Sequence, residues 1–198
     1  MKPSQAAALG GGTGLALVLL QIAGEPARAL LRYQRESVAG GEAWRLLSGN
    51  LVHADVAHIG WNLLGLAIVV VLVGTELSAR RWLLVTLASA FAVGAGLYLL
   101  SPTVEWYLGF SGVLHGLLLA GLLAQWLRTR SVVTLAVAGL LAAKLTYEQF
   151  VGPLPFVASA GSDLPVVHAA HTYGAFGGLT AWALLYARDH KAARDSRA

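Results

Sequence analysis

The twenty residues 56–75, VAHIGWNLLGLAIVVVLVGT, contain no Lys, Arg, Asp or Glu. About 20 mainly apolar residues is the length of an α-helix crossing a hydrocarbon layer of about 30 Å. Five more apolar runs follow the same pattern, at about 9–24, 82–100, 110–127, 131–149 and 165–187. Lipid offers backbone groups no hydrogen bonds, so only helices and closed barrels cross it. Barrel strands alternate polar and apolar residues, and these runs do not. The pattern predicts an all-α membrane protein with six transmembrane helices. Composition agrees, since 12% of residues are charged against about 25% in soluble domains. The first run is not expected to be a cleaved leader, because apolar runs continue almost to the end of the chain. A single domain over 1–198 is expected, with the six-span core at about 9–187 and a short basic tail at 188–198.

The basic residues predict the topology. Lys2, Arg80, Arg81, Arg128, Arg130, Arg188, Lys191, Arg194 and Arg197 fall on one side of a six-span layout. Arg28, Arg32, Arg35, Arg45 and Lys144 fall on the other. Nine against five places both termini in the cytoplasm. The net charge of +4 thus reads as topology signalling rather than a nucleic-acid surface. In the long first loop, ARALLRYQRE and EAWRLLSGNLV read as interfacial helical pieces, and Trp44 suits that depth.

Polar groups at membrane depth cost free energy and mark candidate sites. Here they are His53, His58 and Asn62 near the second run, Ser111 and His115 in the fourth, and His168 and His171 in the sixth. All fall near the outer ends of spans that run in the same direction. His58 and Asn62 share a helix face at i, i+4. Gly112, Gly116 and Ala120 form one small-residue stripe, and His171, Gly174 and Gly178 another. Such stripes let backbones approach closely, bringing Ser111 within reach of His171. A serine hydroxyl needs an adjacent base to become a nucleophile, and imidazole supplies one. The start of the fourth helix offers free N–H groups to an oxyanion, with His58 and Asn62 as further donors. The bland alternatives are a packing serine and interfacial histidines. A metal site built from the histidines is the other rival, but no H-E-x-x-H is present. The absence of cysteine excludes disulfides and thiolate chemistry. Neither a metal nor another cofactor is expected.

Several motifs together resemble the rhomboid family of intramembrane serine proteases. GFSG (Gly109, Phe110, Ser111, Gly112) is similar to the family's G-x-S-G. HADVAHIGWN carries its His, His, Asn pattern at His53, His58 and Asn62. AHTYGAFGG is similar to A-H-x-x-G-x-x-x-G, with His171 at the base position. EAWR resembles the Trp-Arg motif at Trp44 and Arg45, and GTE the Gly-x-Glu at Gly74 and Glu76. The resemblance implies a six-helix rhomboid-like bundle with Ser111 as nucleophile and His171 as general base. His58, Asn62, Gly109 and Gly112 would support the oxyanion, with His53 behind them. His168 would be a neighbour of the site.

His115 stands where many bacterial rhomboids carry a tyrosine stacked on the base. GFSGVLHG is similar to the rhombosortase branch of that family. That branch implies substrates anchored by a C-terminal transmembrane tail with a Gly-Gly-type motif. The implied location is a bacterial inner membrane, with the site opening to the periplasmic side. Implied partners are such substrates and the lipid bilayer, with no nucleic acid. The alternative is a rhomboid-like sorting or binding protein without proteolytic activity.

Overall fold

The computed structural model describes residues 1–152, 154 and 167–195. Among the described residues, six long helices overlap the six apolar runs: α1 (Pro3–Ile22), α5 (Val56–Val73), α6 (Ala79–Leu100), α7 (Ser111–Thr129), α8 (Val132–Phe150) and α9 (Ala169–Asp195). The first begins six residues earlier than the apolar run suggests. Pro3 is pre-set for a helix start, and the Lys2 backbone N–H before it donates to Gln5 Oε1 at 3.2 Å. The start of the sixth run, residues 165–166, lies outside the described residues. Helix α9 continues without a break to Asp195, through most of the expected tail.

By length and composition, α1, α5 and α6 are each long and apolar enough to cross a membrane. Helices α7, α8 and α9 contain Ser111, His115, Lys144, Glu148, His171 and several glycines, which lower their hydropathy. The outer surface is strongly apolar: Ile22, Val71, Leu99, Val132, Leu140 and Phe150 are all exposed. An exposed apolar belt of this extent is a lipid-facing surface. The chain is a helical membrane protein.

Helix α7 is the centre of the bundle. It buries Gly112, Val113, Leu114, Gly116, Leu117, Ala120, Gly121 and Leu122. Glycines set how closely α9 approaches it. A Cβ on Gly112 would lie 2.7 Å from the Ala170 carbonyl oxygen, and one on Gly174 would overlap the Gly112 carbonyl. Gly178 meets the backbone of Gly116 in the same way. Where lipid removes the hydrophobic gain of helix association, such close packing holds helices together through dispersion.

The first loop folds as α2 (Gly24–Leu31), β1 (Tyr33–Gln34), α3 (Arg35–Ala39), α4 (Arg45–Ser48) and a 3-10 turn at Gly49–Leu51. Two of its arginines, Arg35 and Arg45, bond to backbone carbonyls. Arg35 donates to the carbonyls of Leu97 at 2.6 Å, Tyr98 at 3.0 Å, Ser101 at 2.8 Å and Val104 at 3.2 Å. These carbonyls close the end of α6, where a cation is favoured. Arg45, 7% exposed, donates to the carbonyls of Ala29 at 2.9 Å and Arg32 at 2.8 Å and pairs with Glu42. One short antiparallel ladder departs from the all-helical expectation: β1 pairs with β2 (Trp106–Tyr107), Tyr33 opposite Tyr107. It ties the first loop to the segment leading into α7.

Candidate active site

Ser111 is the first residue of α7, and the residue before it, Phe110, supplies no side-chain cap. A helix start normally finds a Ser, Thr, Asp or Asn oxygen for its free N–H groups. Here Phe110 offers no such oxygen to the first turn, whose N-terminal end favours an anion. The turn entering it is fixed by three contacts. Gly109 N–H donates to the Gly49 carbonyl at 3.1 Å. The Tyr107 hydroxyl donates to the Gly109 carbonyl at 2.7 Å. Phe110 N–H points to His53 Nε2 at 3.4 Å. Gly109 has φ +129°, and a Cβ there would lie 2.8 Å from His58 Nε2. Both the backbone conformation and the nearby imidazole demand glycine. Burial pushes the Tyr107 hydroxyl's pKa up, partly offset by hydrogen bonds to the Ser111 side chain and the Gly112 backbone. Tyr107 therefore stays a protonated donor.

His171, on the first turn of α9, reaches Ser111: Nε2 lies 2.9 Å from Oγ. His115 stacks on His171 with ring centroids 4.3 Å apart and planes 17° from parallel. It occupies the stacking place that the resemblance assigns to tyrosine, while its Nδ1 faces the Ser111 carbonyl at 2.7 Å. The serine's obvious sequence neighbour thus bonds to its backbone and packs on its partner.

His53 and His58 meet edge to face, 5.1 Å apart. Burial, and then the neighbouring His58, lower the His53 pKa to about 3 against the pull of Asp55, so its imidazole is neutral. Asn62, 3% exposed, donates from Nδ2 to the His58 carbonyl at 2.9 Å. One of its two amide hydrogens is therefore committed to its own helix. His168 lies in the turn just before α9, and its Nδ1 is buried with no partner among the described residues.

Two residues absent from the sequence-derived site complete the cluster. Glu148 Oε2 lies 2.8 Å from His171 Nδ1, and Lys144 Nζ lies 2.6 Å from the same oxygen. Lys144 Nζ is also 2.9 Å from His115 Nε2 and 3.3 Å from His171 Nδ1. His115, Glu148 and His171 present possible metal-ligand atoms within 4.8 Å of one another. The Lys144 ammonium lies against the same three side chains, so the cradle already holds a cation of the chain's own. The signal for both residues was in the sequence: they are the charged residues of the apolar run 131–149, spaced i, i+4.

A serine facing an imidazole at the start of a buried helix is an arrangement for attack on a carbonyl. Comparison with known proteins points the same way. A family model described as the rhomboid domain matches residues 40–188. The Bacillus subtilis (strain 168) protein YdcA, whose name places it among rhomboid proteases, is 32% identical over 80 residues, 40% of this chain. The match spans 40% of that relative's length. The matched span runs from just before the first-loop Trp-Arg motif well into α9 and takes in Ser111, His171 and their neighbours; the chain belongs to the rhomboid family.

Proposed function

We propose that this chain is an intramembrane serine endopeptidase in which Ser111 is the nucleophile and His171 the general base. The observation that carries the reading is the 2.9 Å approach of Ser111 Oγ to His171 Nε2. In the first step His171 Nε2 takes the hydroxyl proton as Oγ attacks the scissile carbonyl carbon. The oxyanion forms against N–H groups of the first turn of α7, which Gly109 and Gly112 support by letting His58 and α9 approach the turn closely. His58 and Asn62 add donors from the start of α5. Imidazolium then gives its proton to the leaving amine, and water, deprotonated by His171, cleaves the acyl-enzyme.

The substrate class follows from the cost of presenting backbone. Helical backbone in lipid is hydrogen-bonded and closed to a nucleophile, and glycine lowers the cost of unwinding by about 0.5–1 kcal/mol per residue relative to alanine. With His115 on the base, the chain resembles the rhombosortase branch. A membrane-anchored protein with a C-terminal Gly-Gly-type sorting tail is the proposed substrate. All six long helices span the bilayer in this reading, with both termini cytoplasmic in a bacterial inner membrane. The site then opens near the periplasmic face.

The test is fluorophosphonate labelling of the purified protein, paired with cleavage of a Gly-Gly-tailed reporter. Wild type labels and cleaves; Ser111→Ala and His171→Ala do neither while remaining folded. Cleavage retained in either variant refutes the dyad. A folded wild type that neither labels nor cleaves is the result expected of a non-proteolytic sorting protein.

A further inference from the structure

Helix α8 is only lightly embedded. Its buried residues are Thr134, Leu141 and Glu148. Two of these are polar, and Glu148 is 1% exposed. A carboxylate buried at this depth needs charge partners and hydrogen bonds. It has two nitrogen partners on Oε2: Lys144, one turn back on α8, and His171 of α9.

The ring nitrogens can be assigned in order. His115 Nδ1 faces a backbone carbonyl, which only accepts, so Nδ1 carries the proton. His115 Nε2 is then a lone pair and accepts from Lys144 at 2.9 Å. Lys144 also donates to Glu148 Oε2, which favours the ionised carboxylate. An ionised carboxylate at 2.8 Å cannot face an imidazole lone pair, so His171 Nδ1 carries a proton and donates it. His171 Nε2 is left as the lone pair aimed at the Ser111 hydroxyl. In the opposite tautomer Nδ1 would accept from Lys144, but that contact is longer, at 3.3 Å, and would place the lone pair against the carboxylate.

We infer that Glu148 is a positioning residue for His171, making the pair a three-residue Ser111–His171–Glu148 system in which Lys144, seated on His115, keeps the carboxylate ionised. The inference rests on Ser111 and His171 acting as nucleophile and base. Glu148 does not touch the reacting atoms. It holds the imidazole in the tautomer whose Nε2 can take the serine proton, and it faces the imidazolium that forms. Helix α8 thereby contributes to catalysis through a side chain on a lightly packed helix.

The test uses full-length protein in detergent micelles and two readouts. The first is the rate of Ser111 labelling by a fluorophosphonate. Glu148→Gln, which keeps the shape and loses the charge, is expected to slow it by up to about 10⁴-fold, the loss known when a triad aspartate is neutralised. Glu148→Asp should label faster than Glu148→Gln. The double variant Lys144→Met/Glu148→Gln removes the ammonium left unpaired and controls for misfolding; it should be folded and as slow as Glu148→Gln. The second readout is the ¹⁵N NMR signature of the His171 ring, Nδ1–H in wild type and no longer uniquely so in Glu148→Gln. Wild-type labelling rates in Glu148→Gln, or an Nε2–H ring in wild type, overturn the inference. Absence of labelling in wild type overturns the nucleophile reading instead, and the tautomer signature still decides the place of Glu148.

Discussion

Helices α8 and α9 both pack on α7, and they do so by opposite means. Helix α9 meets α7 backbone to backbone, through Gly112, Gly116, Gly174 and Gly178. Helix α8 reaches the site through long side chains, with Lys144 and Glu148 stretching to His115 and His171. The glycine seam fixes a distance that no side chain can adjust, which suits a 2.9 Å hydroxyl-to-imidazole contact. The polar attachment fixes a charge state and a proton position instead. In lipid the first depends on dispersion at close range and the second on satisfying a buried charge.

The strongest way to break this contrast is to widen the seam. In Gly174→Val the new Cβ would overlap the carbonyl of Gly112, which is backbone and cannot swing aside. The expected loss exceeds the about 1–3 kcal/mol typical of overpacked side chains, and Ser111 labelling should vanish with it. Thermal unfolding in micelles, read with the labelling assay, checks this. A folded variant that labels at the wild-type rate would show that the seam does not set the catalytic distance.

The contrast sharpens just before α7, in the turn at Phe110, which a side chain of the first loop holds. There His53 faces the Phe110 N–H from a fully buried position. Its folded pKa of about 3 lies below the ordinary 6.5, with burial the larger cause and His58 the next. The unfolded chain therefore binds the proton first as pH falls. The stability contribution is complete above pH 6.5 and drains away between 6.5 and about 3, at about 1.4 kcal/mol per pH unit. His53→Gln keeps an acceptor and removes the titration. Stability measured from pH 7 to 4.5 should fall more steeply in wild type than in His53→Gln, and equal slopes would show that His53 is not a buried neutral base.

What was legible in the sequence follows the same division. Small-residue periodicity is a backbone property, so the stripes around Gly112 and Gly174 pointed to the meeting of Ser111 and His171. The helix positions followed from apolar runs, although Pro3 extended the first and α9 outran the last. Glu148 was hidden because TYEQF reads as the frayed, charged end of a span, and Lys144 as a topology marker. Their i, i+4 spacing is common on solvated helix faces, and only the packing turns that face inward. The partners of the first-loop arginines were hidden for another reason. Arg35 and Arg45 bond to carbonyls, which every residue carries, so their partners leave no trace in residue identity.

The smallest expected effect separates the two kinds of ion pair in this molecule. Arg128, at the far end of α7, pairs with Glu76 through contacts of 3.0 and 2.5 Å, and the arginine side chain is 63% exposed. Its charge types match those of Lys144 and Glu148, and Glu76 is itself well covered. The difference is that water reaches one partner of the outer pair and can replace what a substitution removes, while salt screens the rest. Arg128→Gln, which retains amide donors near Glu76, should leave labelling unchanged and shift thermal unfolding little, with any shift disappearing as ionic strength rises. Glu148→Gln should show the opposite pattern, with a large loss of labelling that salt does not relieve. If Arg128→Gln proved as damaging as Glu148→Gln, a covered carboxylate anywhere in the bundle would suffice to explain the loss, and the special place of Glu148 beside His171 would fall.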